Sequence, residues 1–423
     1  ALTLLLSGRA QPLDDPGLAA LTDRATADEG ALADARALVR DLAAAGTPRR
    51  TRDRRDGFAD PVAFQEAVAA QRNGRARGAP LAYGEIVGCV EAAQLLPFAA
   101  GLDYERAAFE TCYATEASRA LRHLHAAERA VLRRAVTLPG QVQPVTRLGL
   151  AGGGIIGTGV ALSALDAGLT VIVLDRDAEA LRALSRRVSG VYDRAVARGR
   201  LTEAQRKARL DRLRGIVDPK GLEAAEVVID ALRAPGEDLT DLRRTIAGPV
   251  TDERIFASTV IGTALWPLAD GTEKPRRTVG LNFQVPPHAS RLVEIGRREA
   301  TRDMALATTA ALVRRLGKLP ILTRPAHGYP SDRLRAALLA GADVALAAGA
   351  RPVDVDSSLR GWGLTRGVYE ALDMAGLDTA AEDGRDGGLR AGLIAAGHLG
   401  RGTGRGYYLY DAGDGPVPNP EAE

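Results

Sequence analysis

Three glycines, Gly152, Gly154 and Gly157, stand in a G-x-G-x-x-G run directly behind the apolar stretch Arg147–Ala151. The first such glycine lets a strand turn tightly, the second lets backbone approach a diphosphate, and the third lets the following helix pack close to the sheet. Phosphate oxygens would then meet unpaired N–H groups at the positive end of a helix dipole. The apolar-periodic run 155–167 supplies that helix, and Thr170-Val171-Ile172-Val173-Leu174 reads as a second strand ending in Asp175. Asp175 lies 18 residues past Gly157, near the spacing of about 20 at which an acid meets the ribose hydroxyls of a dinucleotide. A carboxylate there repels a 2′-phosphate, so the pattern points to NAD rather than NADP, with Arg176 beside it the one feature that pulls the other way.

The strand and helix that such a turn needs belong to a longer alternation. Short β-type runs at 147–151, 170–174, 227–231, 254–257, 278–281, 291–295 and 320–323 alternate with helical stretches. That order implies a parallel, doubly wound sheet of Rossmann type. After Pro325 the strands are expected to stop. Ser331 can cap a helix over 332–348, Gly349 can end it, and helical sequence continues at 352–360, 365–376 and 388–396. Ahead of the sheet, helical periodicity covers 30–45, 61–73, 83–96 and 103–134, and 138–144 reads as a linker. The fold class is α/β, with a Rossmann-type sheet, an all-α C-terminal domain and a helical N-terminal region. The expected divisions are 1–60, 61–145, 146–325 and 326–423.

A chain of 423 residues is too long for one ordinary core. A net charge of +3 and an aromatic content of 4% argue against nucleic acid as a partner. No apolar run approaches the ~20 residues that span a bilayer, and the opening Ala1-Leu2-Thr3-Leu4-Leu5-Leu6 lacks the basic flank of a signal peptide. Cys89 and Cys112 read as buried free thiols of a reducing compartment and fit no zinc spacing. A cytoplasmic protein without a metal is expected. The arginine-rich run 49–55 reads as a solvated loop, with a phosphate-binding patch as the alternative.

Beyond this point spacing names no substrate, but the wider sequence resembles the 3-hydroxyacyl-CoA dehydrogenases. Thr278-Val279-Gly280-Leu281-Asn282-Phe283 with Leu292-Val293-Glu294-Ile295 is similar to that family's G-x-H-F-F-N-P…L-V-E-V segment. Gly328-Tyr329-Pro330-Ser331-Asp332-Arg333-Leu334 is similar to its P-G-F-x-x-N-R-L, Leu372-Asp373-Met374-Ala375-Gly376-Leu377-Asp378 to its L-L-D-x-x-G-L-D, and Gly404-Arg405-Gly406-Tyr407-Tyr408 to its closing G-R-G-F-Y. Residues 1–145 resemble the end of a crotonase-type enoyl-CoA hydratase domain and the linker helices of multifunctional β-oxidation enzymes, through Leu5-Leu6-Ser7-Gly8-Arg9 and Leu96-Pro97-Phe98 with Gly101, Leu102 and Glu105. The family's hydratase residues would lie before residue 1.

The resemblance implies NAD-dependent oxidation of a 3-hydroxyacyl-CoA to the 3-ketoacyl-CoA, with an acyl-CoA as substrate and a hydratase or thiolase as partner. In the family a histidine takes the hydroxyl proton and a glutamate orients it. The glutamate corresponds to Glu294, whereas the histidine position is Asn282. An amide is neither acid nor base near neutral pH. The family's S-N-T-S run begins at Ser258 and its active-site serine falls at Ile261; the asparagine of F-N-P falls at Val285, and that of N-R-L at Asp332. The catalytic candidates are Glu294, Asn282, Asp332 and Ser258, and the cofactor candidates are Gly152, Gly154, Gly157 and Asp175. His288 is expected to point elsewhere, and His327, near Asp332, reads first as a hinge residue. The alternative is a non-catalytic member that binds NAD or an acyl-CoA, or a structural part of a β-oxidation complex.

Overall fold

In the computed structural model the described residues are 2–8, 26, 30–46, 50–53, 55–74, 79–232, 239–247, 254–259, 275–325, 328–380, 388–410 and 415–422. They form two compact units, Ala1–Ala127 and Glu128–Glu423. The first holds helices α1 (Leu2–Ser7), α2 (Ala31–Ala44), α3 (Pro61–Asn73), α4 (Leu81–Leu95) and α5 (Phe98–Ala114), and most of α6 (Glu116–Val136). Asp60 starts α3 by accepting the Ala63 N–H at 3.0 Å, with Pro61 in the first turn. The single helix expected over 103–134 is two, because the Thr115 hydroxyl accepts the Ser118 N–H at 3.1 Å and caps a new start. Cys89 and Cys112 are free thiols but half-buried, not buried, in a unit whose buried apolar side chains are few, among them Val68, Val87 and Ala92. Within the arginine run, Arg52 stacks on Phe98 at 4.9 Å and Arg55 lies over Phe58 at 5.9 Å.

In the second unit, β1 (Arg147–Ala151), β2 (Thr170–Leu174), β3 (Leu213–Ile216), β4 (Val227–Asp230), β5 (Ile255–Ser258), β6 (Thr278–Phe283), β7 (Leu292–Gly296) and β8 (Leu319–Thr323) form one sheet. Their spatial order is β3-β2-β1-β4-β5-β6-β7-β8. Side chains alternate between two cores: Leu148, Leu150, Val171, Val173, Val227 and Ile229 pack on one face, and Ala151, Ile172, Leu174, Val228 and Phe256 on the other. Burial on both faces explains why these strands read as unbroken apolar runs. The sheet is not wholly parallel, since β6 and β7 pair antiparallel. The connection 284–291 is too short for a crossover, which needs a dozen or more residues. The chain order reverses between β1 and β4, so a crevice opens at the carboxyl ends of those strands.

Helices α7 (Ile155–Asp166), α8 (Ala178–Ala197), α9 (Glu203–Leu210), α10 (Thr240–Ala247) and α11 (Asp303–Arg315) belong to the sheet region. The C-terminal part has α12 (Pro330–Ala347), α13 (Pro352–Trp362), α14 (Val368–Ala375), α15 (Leu377–Ala380) and α16 (Leu389–Ala395). It is not all helical: Tyr408–Leu409 and Val417–Pro418 pair antiparallel. Nor is Ser331 the cap of its helix. Pro330 occupies the first turn and Tyr329 the cap position, which frees Ser331 for other bonds. Gly349, at φ +95°, ends α12 as expected.

Two buried carboxylates hold the C-terminal core together. Asp373 accepts the N–H groups of Tyr407 and Tyr408 at 2.9 and 2.8 Å and the Tyr410 hydroxyl at 3.1 Å. Burial nevertheless pushes its carboxyl up to about 6. The folded protein then holds this proton more tightly than the unfolded chain, so the contribution is fully present below about pH 4 and is lost as pH rises to about 6. Stability should fall across that window by about 2 kcal/mol. Denaturant titrations at pH 4.5 and 6.5 check this, with Asp373→Asn flattening the difference.

Candidate active site

The glycine turn sits where the topology requires it. Gly152 takes φ +94°, and a Cβ there would meet the Ala231 carbonyl oxygen at 2.8 Å. A Cβ on Gly157 would stand 1.9 Å from the Gly152 carbonyl oxygen, so helix and turn touch backbone to backbone. Gly154 is the N-cap of α7 and provides no side-chain cap, and the space a Cβ would fill there is open. Among the described residues no side chain caps the first turn of α7, and the space beside Gly154 is open, which is what a diphosphate needs. From α8, Arg187 braces the turn by donating to the Gly153 carbonyl at 2.6 Å and to the Thr158 hydroxyl at 3.2 Å. Asp175, half-buried at the end of β2, accepts the Gly153 N–H at 2.8 Å.

Beside the turn, Asp230 and Ser258 end β4 and β5 in register. The Ser258 hydroxyl donates to Asp230 at 2.8 Å, and Arg243 of α10 pairs with the same carboxylate at 3.0 Å. Ser258 thus joins a buried polar group on the floor of the crevice. Asp230 and Arg243 were not singled out from sequence, although an acid closing an apolar run, as in Val227-Val228-Ile229-Asp230, is the same signal that marked Asp175.

Farther along the same sheet edge, Asn282 of β6 lies opposite Glu294 of β7. The Asn282 amide nitrogen faces three acceptors: Glu294 Oε2 at 3.0 Å, Ser331 Oγ at 3.2 Å and Asp332 Oδ2 at 3.2 Å. Glu294, 2% exposed, also accepts the Ser331 N–H at 3.0 Å and the Ser331 hydroxyl. Gln284 donates to the Ser331 hydroxyl at 2.9 Å. Asp332 is less enclosed, with 17% of its side chain exposed and Arg335 on its other oxygen at 2.6 Å. Its carboxyl is raised, chiefly by burial and further by the Glu294 charge, against the lowering pull of Arg335 and the Asn282 amide. The Tyr329 phenol is fully buried, has no partner among the described residues, and is held protonated by burial and the nearby Asp332 and Glu294 charges.

The structure thus brings together Asn282, Glu294 and Asp332, and adds Gln284, Ser331 and Tyr329. It leaves Ser258 with Asp230. His288 lies on the turn after β6 and is largely exposed, its imidazole lowered by partial desolvation and by the Lys318 charge. Ile261 and His327 lie outside the described residues, and Val285 is 40% exposed.

Residues 147–326 match the NAD-binding domain of 3-hydroxyacyl-CoA dehydrogenases. The (S)-3-hydroxybutyryl-CoA dehydrogenase PaaH1 of Ralstonia eutropha is 30% identical, with a TM-score of 0.56, over 63% of this chain and 100% of that one. The chain belongs to the 3-hydroxyacyl-CoA dehydrogenase family. FadB2 of M. tuberculosis is 28% identical over 64% of this chain and 100% of its own, with a TM-score of 0.59. Among curated proteins, the peroxisomal bifunctional enzyme of Danio rerio is 26% identical over 380 residues, 82% of this chain and 51% of that protein. The fatty acid oxidation complex subunit alpha of Psychrobacter sp. (strain PRwf-1) is 29% identical over 66% of this chain and 41% of its own length. The chain therefore spans about half the length, or less, of these two curated relatives. Its Rossmann domain is the NAD-binding domain of the dehydrogenase family, and the open, uncapped glycine turn with Asp175 beside it fits that cofactor. No described helix is long and apolar enough to cross a membrane.

Proposed function

We propose that this protein oxidises a 3-hydroxyacyl-CoA to the 3-ketoacyl-CoA with NAD. The observation that carries the reading is the shared sheet edge. The backbone pairs Ala151 with Asp230, Asp230 with Ser258, Ser258 with Gly280 and Gly280 with Gly296. The glycine turn follows Ala151, and the Asn282–Glu294 pair lies two residues beyond Gly280 along β6 and β7. With neighbouring strands about 4.8 Å apart, the two sites lie three strands apart on one rim, a span that an extended dinucleotide can bridge.

The first-turn N–H groups of α7 would hold the diphosphate, and Asp175 the ribose nearest β2. NAD, when bound, supplies the hydride acceptor. This chain's own contribution is the polar cluster at Asn282, in which Glu294 fixes the amide and Ser331 and Asp332 keeps a partly exposed carboxylate beside them. An enoyl-CoA hydratase or a thiolase as partner, and a cytoplasmic setting for the free thiols Cys89 and Cys112, complete the reading.

The test follows NADH absorbance with NAD and a short and a long (S)-3-hydroxyacyl-CoA. Turnover with NAD should exceed that with NADP by about tenfold or more, the size of one charge-dependent discrimination at Asp175. NAD binding without turnover on any chain length would instead favour the non-catalytic, ligand-binding alternative.

A further inference from the structure

The family's proton-transfer position holds an amide, yet a carboxylate stands 3.2 Å from that amide where the family has a neutral asparagine. Across one hydrogen bond, the titratable side chain stands at 332 rather than at 282. We propose that Asp332 is the acid–base residue of this site, taking the proton from the 3-hydroxyl, with Asn282 holding it in place. This rests on the oxidation reading above.

Geometry separates Asp332 from the other carboxylate of the site. Glu294 is 2% exposed, and its oxygens accept from the Ser331 N–H, the Ser331 hydroxyl and the Asn282 amide. It is enclosed and already accepts three hydrogen bonds from Ser331 and Asn282, so it serves as an orienting residue. Asp332 is partly open to solvent, with 17% of its side chain exposed. Its charged neighbours are Arg335 from its own helix and Glu294 from β7, with the neutral Asn282 amide from β6 and the protonated Tyr329 phenol beside them. Burial and Glu294 raise its carboxyl, which moves a weak base towards the range where proton transfer is efficient.

The step balances on the groups named. The hydroxyl O–H bond breaks and its proton passes to Asp332. The electron pair of that bond closes the carbonyl as the C3 hydrogen leaves with its own pair to the oxidised dinucleotide. The acid then releases its proton to water on its exposed side. In reverse, protonated Asp332 donates to the keto oxygen.

Two measurements on the full chain test this. In the first, Asp332→Asn should lower kcat by about 100-fold or more, leave the Kd for NADH unchanged, and remove the acid limb of the pH profile. Asn282→His combined with Asp332→Asn, which restores the family's pair, should recover turnover with an acid limb near the imidazole range of about 6.5. In the second, acetoacetyl-CoA is titrated calorimetrically without dinucleotide in buffers of different ionisation enthalpy. Wild type should take up a proton on binding between pH 6 and 8, and Asp332→Asn should not. Wild-type NADH formation with an equally active Asp332→Asn would overturn the role of Asp332 while leaving the oxidation reading intact. Proton uptake that depends on Asp332, in a protein that forms no NADH, would keep Asp332 as the proton-binding group of the site but overturn the oxidation reading and, with it, the transfer from a 3-hydroxyl. Proton uptake unchanged in Asp332→Asn would overturn the assignment by itself.

Discussion

Gly157→Ala is expected to cripple dinucleotide binding, by about 100-fold or more in affinity, while leaving the sheet folded. The new methyl would stand 1.9 Å from the Gly152 carbonyl oxygen, far inside the 3.0 Å that real side chains respect. Neither partner can step aside cheaply. Gly152 is fixed by its φ of +94° and by its N–H, which donates to the Leu174 carbonyl at 2.8 Å. The rest of α7 is buried from Gly157 to Leu165, and Gly159 already lies against Pro287. The helix must therefore lift at its first turn, where the N–H groups that meet phosphate are found. A displacement of about an ångström there forfeits two or more charge-assisted hydrogen bonds, each contributing ~1.5–3 kcal/mol. NADH affinity, read by fluorescence titration, should fall by about 100-fold or more. Far-UV circular dichroism should be unchanged, because the strain stays at one turn. A variant that binds NADH as wild type does would show that the dinucleotide sits elsewhere.

Much of this turn was legible before the structure. Glycines are conspicuous, and each has one physical use at that spacing. The buried strands were equally legible, because burial on both faces leaves no polar position: Thr170–Leu174 and Val227–Asp230 are almost wholly apolar. What escaped notice lacked that signal. The edge strand Leu213–Ile216 leaves the consecutive residues Arg214 and Gly215 exposed and carries no apolar run. The hairpin of Tyr408–Leu409 with Val417–Pro418 is only two residues long on each side. The reversal at β7 was readable from the short 284–291 connection, but a run of apolar residues alone says nothing of strand direction.

The candidate site was half legible. Asn282 and Glu294 are cross-strand partners, so the resemblance and the pairing agree on where they meet. The arrival of Asp332, 50 residues downstream, depends on how α12 docks, and no local pattern encodes that. The misplaced cap shows the same limit. Serine at a helix start is ordinarily a cap, but Pro330 shifts the start by two positions, and Ser331 is recruited by Glu294 instead. A tertiary acceptor outweighed the local one.

Asp356→Ala should be the most damaging single change outside the sheet, and its effect should reach the active site. Asp356 is fully buried and accepts the Tyr369 N–H at 3.0 Å, the Glu370 N–H at 2.9 Å and the Tyr408 hydroxyl at 2.8 Å. It thereby caps α14 from the preceding helix α13, and Gly367 has no side chain because the carboxylate fills that space, 2.0 Å from where a Cβ would lie. Alanine would leave three buried donors unsatisfied, at ~1–3 kcal/mol each; with partial hydration of the gap, about 4 kcal/mol is expected. For a unit of this size that corresponds to a melting temperature lower by roughly 10 °C. The damage should spread along named contacts. Tyr369 also donates from its hydroxyl to Asp343 of α12 at 3.2 Å, and it shares the C-terminal core with Leu339 and Ala342 of the same helix. Loosening Tyr369 loosens α12, and α12 carries Ser331 and Asp332 at its first turn. Asp356→Ala should therefore lose turnover at temperatures where NADH still binds, since the glycine turn lies on other elements. Asp356→Asn, which keeps the shape and one acceptor oxygen, should fall between the two. Differential scanning calorimetry, with NADH titration and NADH formation on the same samples, checks the order, and a loss of NADH binding in step with activity would show that the sheet, not α12, had given way.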